Sequence, residues 1–300
     1  MIYDCSMFFN ENDIFEIRLN QHWDFVDKFI IVEAGQTHTG IAKPFNFDLE
    51  RFKPYMDKIV YRTFDSFDEE RKKFPDYYDF LDDSIHDFKP EWFRDDFQGN
   101  YCFKVLGDVG AKGDDIVYFS PPDEILKKSA MEDAIERFKN PEVYTITDAS
   151  NRITAKNTRP IFHAMMDLYV YKFNLIAGVN PKRPYGSFSE FGNHKIIYPS
   201  LARNCGLVTH EAIKDAGWHL SYMDPGDGEN VLQKMHSWAH ARDPGRGVNG
   251  ATRMDSTTIV DAMTILHNEF SPTMIEMSYD THPAYIIDNI DKYQNYIFKP

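Results

Sequence analysis

Three hundred residues with 42% hydrophobic and 27% charged side chains make an ordinary globular chain, long enough for one large domain or two modest ones. The formal net charge of −14 argues against a nucleic-acid partner held through phosphates, since the basic runs are no longer than Arg71-Lys72-Lys73. Cys5, Cys102 and Cys205 are odd in number and widely spaced, which gives neither a disulfide framework nor a zinc pattern and points to a reducing, cytoplasmic setting.

The start of the chain carries no basic segment followed by an apolar stretch, and no window approaches eighteen uninterrupted apolar residues, so neither a signal peptide nor a membrane span is expected. Aromatic residues are abundant, with 24 Phe, 17 Tyr and 4 Trp. They fit an aromatic core, or flat rings that stack on sugars.

In chain order, Met1–Cys5 reads as a short strand. Asn12–Trp23 reads as a helix, with Ile14, Phe15, Ile17 and Leu19 apolar and Asn12 or Asp13 as its cap. Phe29–Glu33 is a continuous apolar run ending in an acid, the pattern of a buried parallel strand whose carboxyl end reaches a site. Lys58–Arg62 and Asp115–Ser120 are further strands, and Phe93–Leu106 and Ser129–Lys139 are helices. The alternation predicts an α/β fold with a mostly parallel central sheet flanked by helices.

The second half is less regular. Strands are expected within Arg159–Ala177, turns around Pro181–Gly186, and a strand at Lys195–Tyr198. Thr209 suits the cap of a short helix ending at Gly217. Gly228–His240, Thr257–His267 and a segment from Pro283 read as helices, with a polar loop over Ala239–Asp255. No repeat or low-complexity stretch appears. A single domain over 1–300 is expected, its 1–150 half on the donor side and its 151–300 half on the acceptor side.

Three segments resemble glycosyltransferase family 17. The first is Ile2–Asp13 with Glu16–Asn20, Val26-Asp27, Phe29–Ala34, Thr37–Gly40 and Lys43-Pro44. The second is Asp114–Ile125, and the third is Gly217–Tyr222 with Glu229 and Lys234–His240. Pro283–Tyr293 also looks like the family's end. The resemblance implies a GT-A-like transferase that moves a sugar, N-acetylglucosamine in the family's known activity, from a UDP donor with inversion. Without the membrane anchor of animal Golgi members, its acceptor is expected to be a glycan or other hydroxyl compound outside the Golgi.

A transferase of this kind must neutralise the departing diphosphate, and a divalent metal, Mn²⁺ or Mg²⁺, often does so. The family has Asp-x-Asp-Glu at the second segment, where this chain has Pro121-Pro122-Asp123-Glu124. Pro121 replaces the first acid. Asp123 is the expected metal ligand, unless Asp123 and Glu124 only begin a helix after a Pro-Pro turn. His240 is a candidate second ligand or a packed residue.

Glu229 and Asp227 are candidates for the general base, with Asp224 in the same loop. Glu229 equally suits a first-turn helix acid. The donor side is expected to include Phe8, Asn10, Glu11, Glu33, Thr37, Thr39 and Lys43. Phe8 would lie against uracil or in the core, and Lys43 would meet phosphate or solvent. Trp218 and His219 suit a sugar platform, or Trp218 a core position. Two rival functions remain at this level: a binding protein that has lost its metal pair, and a transferase acting on modified bases in DNA, which the charge disfavours.

Overall fold

The computed structural model describes residues 1–73, 89–139, 144–147, 153–195 and 212–300. The chain alternates at first: β1 (Ile2–Phe8), α1 (Asn12–His22), β2 (Lys28–Ala34), α2 (Leu49–Phe52), β3 (Ile59–Phe64), α3 (Phe67–Lys73), α4 (Pro90–Asp108) and β4 (Ile116–Phe119). A short β5 (Glu124–Leu126) and α5 (Lys128–Phe138) follow. Then come a hairpin of β6 (Tyr144–Thr147) and β7 (Ile153–Thr158), and strands β8 (Phe162–Val170), β9 (Leu175–Ile176), β10 (Lys182–Glu190) and β11 (Ile213–Ser221). The end carries α6 (Glu229–Ser237), α7 (Ile259–Phe270), β12 (Thr273–Met274) and α8 (Ala284–Asp288).

The strands other than the hairpin join in one sheet, ordered β12-β9-β8-β10-β4-β1-β2-β3, with β11 between β8 and β5. Strands β3, β2, β1 and β4 are parallel. From β4 to β10 to β8 the pairing turns antiparallel, while β11 runs parallel to β8. The α/β expectation is met, with the parallel order concentrated in the first half of the chain.

β2 shows why its sequence is continuously apolar. Ile30, Val32 and Ala34 pack toward Phe93, Phe97 and Tyr101 of α4. Phe29 and Ile31 pack on the opposite face with Phe15 and Leu19 of α1. A strand covered on both faces has no polar side to present. The aromatic excess goes largely into these layers: Phe15 meets Phe52 at 5.1 Å, and Phe64 meets Phe67 at 5.1 Å, both edge to face.

Several local expectations need correction. α1 begins at Asn12 as read, but its N-cap is Glu11, whose side chain does not bond forward. Its Oε2 instead accepts the N–H groups of Phe9 and Asn10, both at 3.0 Å. The turn-rich stretch after Pro181 is the long strand β10. A left-handed Gly186, φ 53°, makes a bulge in it opposite β8. The described part of the expected helix ending at Gly217 is strand β11. Thr209, Cys205 and residues 196–198 lie outside the described residues. The helix read over Gly228–His240 stops at Ser237, and a 3₁₀ turn covers Ala239–Arg242. Cys5 and Cys102 are buried free thiols. No described helix is long and apolar enough to cross a membrane.

Candidate functional site

The carboxyl ends of β1, β2 and β4 open into a cleft of about 610 Å³. Ligands of open α/β sheets sit at this edge, where loops and helix starts replace paired backbone. The far wall comes from the second half of the chain: Arg183 and Tyr185 of β10, His219 and Ser221 of β11, and Lys234 and Ser237 of α6. A smaller cavity of about 290 Å³ shares Glu11, Asp123 and Lys234 with the cleft.

Asp123 lies at the centre of this arrangement, 3% exposed. Its Oδ2 accepts from Lys234 Nζ at 2.7 Å, and His219 Nε2 lies 3.5 Å from the same oxygen. Burial alone would raise the carboxyl's pKa, but Lys234 and then His219 hold it well below the usual range. Lys234 is raised in turn, because Asp123 and Glu11 outweigh the cost of burying the ammonium. Burial pushes Glu11 up; Asp123 adds to that shift and Lys234 opposes it.

Oδ1 of Asp123, Nδ1 of His219, the Tyr222 hydroxyl and Nε1 of Trp238 are all buried with no hydrogen-bond partner among the described residues. All four residues line the cleft. Native proteins rarely strand so many polar atoms together without a ligand to receive them.

One ligand atom each from Asp123, Glu124 and His219 lies within 4.8 Å of the others. The donor set fits a small divalent cation: two carboxylates and one imidazole, with Oδ1 of Asp123 turned to no other group. Strand pairing explains the trio. β11 runs antiparallel to β5, and His219 stands directly opposite Glu124. The approach is close enough that a Cβ on Gly217 would lie 2.0 Å from the Ile125 carbonyl oxygen.

The Ser120–Glu124 loop is held from beneath by a buried polar cluster. Arg18 Nη1 donates to Ser120 Oγ at 2.9 Å, to Pro121 O at 2.6 Å and to Glu124 O at 2.8 Å. Its Nη2 and Nε bind Asp4. His22 Nε2 accepts the backbone N–H of Leu126 at 2.8 Å, so its proton sits on Nδ1 and is donated to Asp4 at 2.6 Å. Arg18 falls in the Glu16–Asn20 stretch of the family resemblance, but neither it nor His22 had an assigned role in the sequence reading.

The expected site residues fall into two groups. Glu11, Asp123 and His219 converge on the cleft, with Lys234 as a fourth member that sequence reasoning passed over. Lys43 also lines the cleft, but its Nζ is paired with the buried Glu33 at 2.5 Å. Glu33 further accepts the N–H groups of Asn46 and Phe47 and the Tyr61 hydroxyl, so it anchors the loop after β2. Phe8 borders the cleft while its ring packs edge to face on Phe15 and Phe47. Asn10 donates to Gln233 at 2.9 Å at the rim of the smaller cavity.

The other expected residues sit elsewhere. The Thr39 hydroxyl bonds Thr37 Oγ1 and His236 O, tying the loop after β2 to the end of α6. Trp218 is a core residue of β11, its Nε1 donating to Thr281 O at 2.9 Å, and it does not border the cleft. Adjacent residues of a strand face opposite ways, so Trp218 points inward where His219 points to the cleft. His240 lines the cleft between Trp92 and Trp238 and bonds Asp243 at 2.6 Å, outside the trio with Asp123. Burial lowers its pKa, with Asp243 opposing. Glu229 and Asp227 are exposed and border neither cavity. Asp224 is committed to α6, accepting the N–H groups of Asn230 at 2.7 Å and Gly226 at 2.6 Å.

An acid-floored cleft at the carboxyl edge of an α/β sheet is the place where such folds seat their ligands, and it offers the acidic groups that a transferase uses. The model of glycosyltransferase family 17 matches residues 1–133, from β1 into α5, which supports a glycosyltransferase. Asp4, Glu11, Arg18 and Asp123 fall within the match, and His219 and Lys234 lie beyond it. No curated protein matches the chain.

Proposed function

We propose that the protein is an inverting, GT-A-like glycosyltransferase that moves a sugar, best assigned as N-acetylglucosamine, from a UDP donor to a glycan or other hydroxyl acceptor. The observation that carries this reading is Asp123, buried at the floor of the cleft with one oxygen unpartnered, in a chain whose first strands match a glycosyltransferase family. A cleft of about 610 Å³ suits a ligand of nucleotide-sugar size.

A divalent cation, Mn²⁺ or Mg²⁺, would be held by Asp123, Glu124 and His219 and would supply neutralising charge to the departing diphosphate. Glu11 and Lys234 flank that position and set its charge balance. The expected bases Glu229 and Asp227 stand outside the cleft. We therefore assign the proton acceptor to Asp95 or Asp96, carboxylates of α4 that line it. Tyr185, packed edge to face on His219 at 4.2 Å, takes the role of a sugar-facing ring given earlier to Trp218. The free thiols of Cys5 and Cys102 are consistent with a cytoplasmic setting.

The loss of the family's first acid at Pro121 favours one second reading, a nucleotide-sugar-binding protein without turnover. A screen of nucleotide-sugars for metal-dependent hydrolysis separates the two. Slow release of the sugar from a UDP-sugar supports the transferase. Binding without turnover of any donor supports the binding protein. Calorimetry that finds no nucleotide or nucleotide-sugar binding, with or without Mn²⁺, would sink both.

A further inference from the structure

Lys234 was given no role in the sequence reading, yet among the described residues it makes the shortest side-chain contact that Asp123 has. Its Nζ lies 2.7 Å from Oδ2, the oxygen that His219 also faces at 3.5 Å. The other oxygen, Oδ1, is buried and partnerless. The Lys234 side chain is 22% exposed on the cleft side, and Glu11 is the next carboxylate acting on it. An ammonium thus occupies one half of the carboxylate on which a divalent cation would depend.

Two cations on one small carboxylate repel each other, and low-dielectric walls strengthen the repulsion. Pro121 and Pro122, which precede Asp123, carry no charge to offset it. A diphosphate brings its own negative charge and can receive an ammonium at its oxygens. Lysine suits such an exchange, being a compact charge on a flexible stem with three donors.

We propose that Lys234 is a placeholder cation: it neutralises Asp123 until nucleotide and metal are both present, and then turns its ammonium to the diphosphate. The inference rests on the donor and metal reading above. It makes metal binding conditional on the nucleotide, since a metal arriving alone must first displace Lys234. Linkage requires the reciprocal effect, with the nucleotide bound more tightly when metal is present.

Calorimetry on the full chain tests this with Mn²⁺ alone and with UDP at saturating Mn²⁺, for the unmodified protein, Lys234→Met and Lys234→Arg. In Lys234→Met, Mn²⁺ alone is expected to bind at least tenfold more tightly, while UDP at saturating Mn²⁺ binds at least tenfold more weakly. Lys234→Arg keeps the charge and should resemble the unmodified protein in both. Opposite signs in one variant are the signature, because a merely structural role would weaken both ligands. If Lys234→Met fails to fold, Lys234→Gln, which keeps a donor for Asp123, takes its place. Mn²⁺ affinity that does not rise, or UDP affinity that does not fall, overturns the proposal. An unmodified protein that binds UDP under no condition overturns instead the donor reading beneath it.

Discussion

Arg18 donates to the main-chain carbonyl of Pro121 at 2.6 Å, so the residue two before Asp123 is gripped through its backbone. The same guanidinium holds Glu124 O and Ser120 Oγ on one side and the Asp4 carboxylate on the other. The loop carrying Asp123 is therefore fixed from α1, regardless of the side chain at position 121. Arginine is required here because its planar fork serves acceptors in several directions at once.

Arg18→Met should be strongly destabilising. It leaves Asp4 buried without its main cation and strips donors from two carbonyls and a hydroxyl. Breaking a buried pair from one side costs about 3–5 kcal/mol. Urea unfolding should show that loss as a lower midpoint. Arg18→Lys should recover only part of it. A cost for Arg18→Met below about 1 kcal/mol, within the range of exposed pairs, would refute the assignment.

The same cluster sets an acid limit on stability. Burial would raise the Asp4 carboxyl, but Arg18 and His22 bring it down to about 2. A depressed carboxylate binds fewer protons when folded than when unfolded, so it stabilises the fold above its ordinary pKa. That contribution fades as the pH falls toward about 2. A shift of this size corresponds to roughly 2 kcal/mol. His22 is buried and shifted below its ordinary value, the burial outweighing Asp4, so its neutral form also favours the fold, and protonation erodes stability as the pH drops below about 6.5. Unfolding free energy should thus decline in two stages on acidification. In Asp4→Asn the lower stage should shrink, the remainder coming from Asp123 and other depressed carboxylates; an unchanged lower stage would assign it wholly to them.

Neighbours Trp218 and His219 should behave oppositely. Trp218→Phe removes the hydrogen bond to Thr281 and some packing, costing roughly 1–2 kcal/mol by denaturation, and should leave nucleotide binding unchanged. His219→Ala removes an imidazole that faces the cleft, and should cost little stability while lowering Mn²⁺ affinity at least tenfold in the presence of UDP. Nucleotide binding lost in Trp218→Phe with the fold intact would return that ring to the site.

The contrast between those two residues shows how far the sequence was legible. The parallel half was readable because β1, β2 and β4 are buried on both faces, and their apolar runs stand out from the helical patterns between them. β11 was not. Its end contains a motif whose resemblance to the family suggested a site, while the residues before it carry helix-capping signals. Read as a strand, Gly217–Tyr222 would have sent Trp218 inward and His219 outward by alternation alone. Lys234 was hidden for another reason. A lysine on a short helix usually meets solvent, and only the folding of α6 across the end of β4 brings it to Asp123. The place of Asp123 at the cleft was legible from the family resemblance and because an acid just beyond a buried strand lies at the edge where ligands collect. Glu229 and Asp227 look similar in sequence, but they are exposed at and just before the start of α6 and border neither cavity.

Gly217→Ala joins fold to site most directly. A Cβ at this position would meet the Ile125 carbonyl oxygen at 2.0 Å, a backbone atom that cannot turn aside as a side chain would. Relief requires β5 and β11 to separate, which breaks the register of His219 with Glu124. The variant should lose roughly 1–3 kcal/mol of stability, the range of overpacked sites. Any folded fraction should bind Mn²⁺ and UDP more weakly than the unmodified protein, even though residue 217 contributes no ligand. Thermal unfolding and calorimetry on the same sample measure both effects. Full Mn²⁺ and UDP affinity in a destabilised Gly217→Ala would show that the β5–β11 register does not assemble the metal trio.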